Sequence, residues 1–230
     1  MARLARLAVA DHAHLVLLRG HSGHPVFGDD VDRSAFLTAL QHACEAERVA
    51  LHAYALLDDH VWLLCTPASA QAVGRALQAL GRRFSAGLNR RHGRSGGVWD
   101  GRYRATVVEG GAALLEAMVF VDQAPTREGS LPDALSTAWS SARQHAGLGA
   151  ELPLTDAPGY WALGNTPFDR CAAYRALLEE PLGNERAARL TAAVHRGWPV
   201  GSPAFLDVLH RMSPRRVEPR PRGRPRKVAT

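Results

Sequence analysis

Lysine is almost missing from this chain of 230 residues: Lys227 is the one lysine among 28 lysine and arginine side chains. Whatever positive charge the protein uses is therefore guanidinium, which suits forked contacts to phosphate or base edges better than point contacts. Cysteine is scarce too. Cys44, Cys65 and Cys171 are odd in number, far apart and set among apolar residues, which excludes a disulfide framework and a zinc site and predicts reduced core thiols of a cytoplasmic protein. No apolar run approaches the ~20 residues a membrane-spanning helix needs. The opening MARLARLAVADH has only a short apolar stretch closed by charge, a poor secretion signal. A cytoplasmic protein with no membrane partner is expected.

What is present is charge sorted by position. Residues 215 to 230 hold six arginines and Lys227 against Glu218, a net of +6 that equals the charge of the whole chain, so residues 1 to 214 are neutral in sum. Within them Arg82, Arg83, Arg90, Arg91, Arg94, Arg102 and Arg104 meet only Asp100 of opposite sign. Two basic clusters on a balanced body point to a polyanionic partner.

Apolar spacing predicts a strand over His14 to Arg19, an amphipathic helix over Asp32 to Glu47, and strands over Val49 to Leu57 and His60 to Thr66. A long helix over Ser69 to Asn89, a strand over Tyr103 to Val108 and a helix over Ala112 to Gln123 follow. That order predicts an α+β protein with a ferredoxin-like split β-α-β sheet, helices on one face and the other face open. From Pro125 the pattern changes to short helices, with candidates at Pro167 to Leu178, Glu185 to His195 and Pro203 to Met212. The division expected is a core over 1–124, a helical extension over 125–214 and a disordered basic tail over 215–230.

Ala55 to Pro67 reads as a hairpin turning at Asp58 and Asp59, which puts His60 and Trp62 on one face of the returning strand. Two histidines at that spacing would offer a cation two imidazoles; indole cannot ligate. On these residues alone an ordinary hairpin with one half-exposed histidine is the better reading. His12, His14, His21 and His24 show no metal spacing and are assigned exposed or capping roles. Glu116 and Asp122 are read as the polar face of their helix.

In the tail, Arg222, Gly223, Arg224 and Pro225, flanked by Arg226 and Lys227, match the AT-hook pattern. Proline keeps such a segment extended, glycine lets it lie on the floor of the minor groove, and arginines enter the narrow A/T groove. The alternative is a solvated basic tail. The middle cluster interleaves its arginines and Asn89 with Trp99 and Tyr103, a pattern suited to neutralising phosphates while rings stack on unpaired bases. The same two rings also fit a core beneath a basic turn.

The segments HLVLLRG, DDVDRSAFL, HAYALLDDHVWLL, LNRRHGRSGGVWDGRYR, AWSS, YWALGNTP, AAYRALL and RPRGRPRK together make the chain resemble the REP-associated tyrosine transposases, relatives of the small single-strand transposases of bacterial insertion sequences. The resemblance implies a nuclease core of the His-hydrophobic-His type. In such a core two strand histidines and a polar helix residue hold Mg or Mn, and a tyrosine attacks the DNA phosphate. Carried over, His60 takes the first histidine position, Trp62 the second, Phe120 the tyrosine position and Ala124 that of the polar residue, with Pro125 retained. The nucleophilic oxygen and two ligands are thus replaced.

The resemblance therefore implies a DNA-binding protein for single-stranded or hairpin ends, monomeric or homodimeric, with lapsed chemistry and no cofactor. Its alternatives are an active transposase or nickase that uses His60 with substitute ligands and Mg or Mn, and a regulator that acts through the hook.

Overall fold

A computed structural model describes residues 5–129, 131–149 and 152–219. Its four strands, β1 (Ala13–Arg19), β2 (Val49–Leu56), β3 (His60–Pro67) and β4 (Arg104–Val108), form one antiparallel sheet in the order β2-β3-β1-β4. The first helices are α1 (Asp30–Glu47), between β1 and β2, and α2 (Ala72–His92), between β3 and β4. This is the expected α+β split β-α-β arrangement. Asp29 caps α1 by accepting from the Asp32 N–H at 3.1 Å. Gly93, at φ 59°, caps α2 in the left-handed conformation, so that the helix ends at His92, three residues beyond the predicted Asn89.

Helices α1 and α2 share one face of the sheet. Phe36, Leu40, Leu80 and Phe84 pack there against Val16, Leu18, Val61 and Leu63. The opposite face, expected to be open, is covered. Helix α3 (Ala112–Asp122) lies across it, followed by the short α4 (Ala124–Arg127), α5 (Ala142–His145) and α6 (Pro158–Trp161), then α7 (Pro167–Glu179), α8 (Asn184–Arg196) and α9 (Pro203–Met212). Leu15, Leu17, Trp62 and Leu64 of the sheet meet Met118, Phe120, Tyr174, Leu190 and Val194 in one apolar cluster. The physical reason lies in β1 and β3, whose apolar residues run on without alternation, as strands buried on both faces do.

The extension also closes both rims of the sheet. Along β2, Leu56 donates to the Trp139 carbonyl at 2.8 Å, Ser141 to the Tyr54 carbonyl at 2.9 Å and Thr155 to the Leu51 carbonyl at 2.8 Å. Along β4, Val200 donates to Val107 and accepts from Glu109, each at 2.8 Å. A third cluster joins Leu7 and Val9 near the N-terminus to Val107, to Phe205 and Leu209 of α9, and to Val217.

Asp122 departs from its expected place on a polar helix face. It is fully buried and accepts hydrogen bonds from His145 Nδ1 and the Tyr174 hydroxyl, each at 2.7 Å, and from the Ser141 hydroxyl. Three side chains, two from α5 and its N-cap and one from α7, thus converge on one carboxylate. Glu116 does face outward, paired with Arg189 at 2.7 Å. Cys44 and Cys65 are buried free thiols and Cys171 is a half-buried one; burial raises Cys44 to about 12. No helix among the described residues is long and apolar enough to cross a membrane.

Candidate functional site

Period-two alternation along β3 sends Val61, Leu63 and Cys65 toward α1 and α2, and Trp62 and Leu64 toward α3. Helix α3 brings Phe120 onto Trp62, edge to face with ring centroids 5.0 Å apart, and His60 lies 6.1 Å from the Trp62 ring. Ala124, at the start of α4, is fully buried in the same cluster. The four positions singled out in the sequence belong to one locality, although no hydrogen bond links them.

His60 is buried, where half-exposure was expected, because Glu128 covers one side of it. Its Nδ1 bonds Asp59 at 2.6 Å and its Nε2 lies 3.2 Å from Glu128. Burial alone would lower its pKa; Glu128 and Asp59 outweigh that and raise it above the ordinary histidine value. Each ring nitrogen is thus engaged by a carboxylate, which leaves neither free to take a cation. The carboxylates approach opposite nitrogens, so the three groups do not surround a common point. Arg127 closes the locality, its guanidinium 3.9 Å above the Phe120 ring and its Nη1 donating to the Phe120 carbonyl at 2.6 Å.

These residues do not fit Mg or Mn. Both ring nitrogens of the one histidine are engaged by carboxylates, Trp62 and Phe120 occupy the space beside it, and Ala124 offers no oxygen. Among the described residues no group of three or more His, Cys, Asp or Glu side chains is placed to hold a metal ion.

The basic cluster is divided among several surfaces. Arg82, Arg102, Trp99 and Tyr103 line a groove of about 550 Å3 between α2 and the loop before β4. Arg83 and Arg90 line a second concavity beside α1, Arg94 a third, and Arg104 a cavity on the far side of Tyr103. Arg91 pairs with Asp29 and Asp32, each at 2.5 Å, and holds Asp29 at about 2. Asn89 donates to the Gly96 carbonyl at 3.0 Å and so fixes the basic turn. Trp99 packs within 5.9 Å of both Phe36 and Phe84, which favours the core alternative for that ring. Tyr103 lies beneath the Arg6 guanidinium at 3.9 Å.

His14 does not take the exposed role expected of it. It is buried, accepts from the Val9 N–H at 3.4 Å, donates to the His12 carbonyl, and burial lowers it to about 4. His21 and His24 are exposed. Arg222, Gly223, Arg224, Pro225, Arg226 and Lys227 lie outside the described residues. Sequence reasoning missed Glu128 and Arg127, which follow Ala124 on the next turn, and Asp122, whose one signal is a carboxylate inside the apolar run LLEAMVFVD.

No family model matches the sequence, and no curated protein matches it. Among solved structures the chain is similar to a REP-associated tyrosine transposase bound to a REP hairpin: the TM-score is 0.52 at 11% identity, over 68% of this chain and 93% of that one. A protein assigned as a transposase in Deinococcus radiodurans R1 gives a TM-score of 0.37 at 17% identity, over 47% of this chain and 87% of that one. The first likeness, at this identity, is one of architecture: the chain has a transposase-like fold.

Proposed function

We propose that this chain is a DNA-binding relative of the REP-associated tyrosine transposases in which strand cleavage has lapsed. Residues 1–124 form the nucleic-acid-gripping body, 125–214 brace it, and 215–230 tether it to A/T-rich duplex. The observation that carries the reading is the state of His60: both ring nitrogens are occupied by Asp59 and Glu128, and the adjoining space is filled by Trp62 against Phe120. A phosphotyrosine mechanism needs an attacking hydroxyl and a cation at that place. The exposed arginines around α2 supply the attraction to phosphate that such a protein retains.

The test is incubation of the full chain with a labelled hairpin oligonucleotide and Mn. The expected result is a non-covalent complex that dissociates in detergent and weakens with salt. A covalent protein–DNA band would overturn the lapsed-site reading; absence of any complex would overturn DNA binding itself.

A further inference from the structure

The most concentrated positive charge among the described residues lies outside the His60 locality. A cavity of about 190 Å3 is lined by Arg6, Arg102 and Arg104 beside β4, by His195 and Arg196 at the end of α8, and by Arg215. Four separate stretches of sequence bring these groups together. No carboxylate among the described residues pairs with Arg102, Arg104, Arg196 or Arg215, whereas Arg19, Arg33, Arg75, Arg91 and Arg189 all have such partners.

Like charges gathered this closely repel one another, and part of that repulsion is already relieved within the protein. Arg6 donates to the Tyr103 carbonyl at 2.9 Å, and Arg215 donates to the Gly197 carbonyl at 2.7 Å, where the end of α8 favours a cation. Burial, then Arg104 and Arg19, lowers the pKa of His195, and its Nδ1 lies 3.1 Å from Arg104 Nη1. Among the described residues Arg102 and Arg196 have no such relief, and the buried Nε and Nη1 of Arg215 have no partner.

We infer that this cavity is a phosphate site that receives the backbone of bound DNA. The inference rests on the DNA-binding reading above and assigns to it residues outside the middle basic cluster: Arg6, His195 and Arg196, with Arg215 from the start of the tail cluster. Continuity supports a DNA backbone over a free anion. The cavity shares Arg6, Arg102 and Tyr103 with the larger groove that holds Arg82, so a strand laid in that groove carries its next phosphates into the cavity. Planar guanidinium forks from several directions match the oxygens of a phosphodiester.

The test compares the full-length protein with its Arg196→Gln and Arg104→Gln variants, and uses Arg189→Gln, on an outward-facing ion pair, as the control. Hairpin binding is followed by fluorescence anisotropy across a salt series, and inorganic phosphate binding by calorimetry, with circular dichroism to show that each variant is folded. Each phosphate contact contributes about 0.7 to 0.9 to the log–log salt slope. Arg196→Gln and Arg104→Gln are each expected to weaken hairpin binding and flatten the slope by about that amount, with the control unchanged. Hairpin binding retained with an unaltered slope overturns this site and leaves DNA binding standing. Variants that lose inorganic phosphate but hold DNA normally identify a small-anion site and overturn the backbone assignment. No binding of DNA by the unaltered chain overturns both.

Discussion

At the scale of single residues, Phe120 is the position where this structure departs furthest from the chemistry its fold resemblance implies. Its ring is fully buried between the Trp62 edge and the Arg127 guanidinium. The ring is enclosed in an apolar cluster with Trp62, Leu64 and Met118, so Phe120→Tyr adds a polar atom to fully buried apolar surroundings. The expected cost is about 1–3 kcal/mol, read as a lower urea midpoint. The variant should still yield no covalent DNA adduct, since Trp62 and the Asp59–His60–Glu128 chain are untouched. An adduct from this single change would mean that the locality is one atom short of working.

At the scale of elements, β1 carries a pH dependence. His14 is buried and neutral, with a folded-state pKa of about 4 against about 6.5 unfolded. The folded form binds fewer protons, so the stabilising contribution is complete above the unfolded value. It is lost as pH falls from there toward 4, and is constant below. The difference amounts to about 3 kcal/mol. Burial also depresses His52, which adds in the same direction. His60, raised by its carboxylates, acts in the opposite sense: its contribution is present below the unfolded value and fades as pH rises past it. Urea denaturation between pH 7 and 4 should show falling stability, with a shallower fall in His14→Gln; parallel curves for the two proteins would remove His14 as the cause.

The same scale shows what the sequence makes legible. The elements around the sheet follow from apolar period and turn residues, and Pro203–Met212 is predicted to the residue. The cover on the second sheet face is also implied, in hindsight, by HLVLLR and VWLLC, strands with no polar alternation. The bracing at Asp122 could not be read, because it joins residues 19 to 52 positions apart and no local pattern encodes such a meeting. The arginine-lined cavity is hidden for a like reason: two of its five arginines fall in the middle basic cluster, and folding adds Arg6 from the N-terminus, Arg196 from α8 and Arg215 from the start of the tail.

At the scale of the whole molecule, the extension holds the sheet rather than decorating it. Residues 1–124 alone would keep α3 against β2 and β3 but lose α8 from β1 and β4, the helices packed on α3, and the backbone partners along β2 and β4. Unpaired strand edges with apolar faces beside them associate readily. Expression of that fragment should give aggregates on size-exclusion chromatography, where the full chain gives a discrete species. A soluble fragment with the full chain's strand signal would show that the sheet stands unaided.

Val217, buried between β4 and α9, sets a geometric limit on the basic tail. Seven residues separate it from Arg224, at most about 25 Å of extended chain, or roughly seven base pairs of duplex. On the proposed DNA-binding reading, a hook at Arg222 to Pro225 on so short a leash would not search distant DNA. The minor groove it entered would belong to the stretch lying against the body, so the two proposed contacts would act as one clamp rather than as independent anchors.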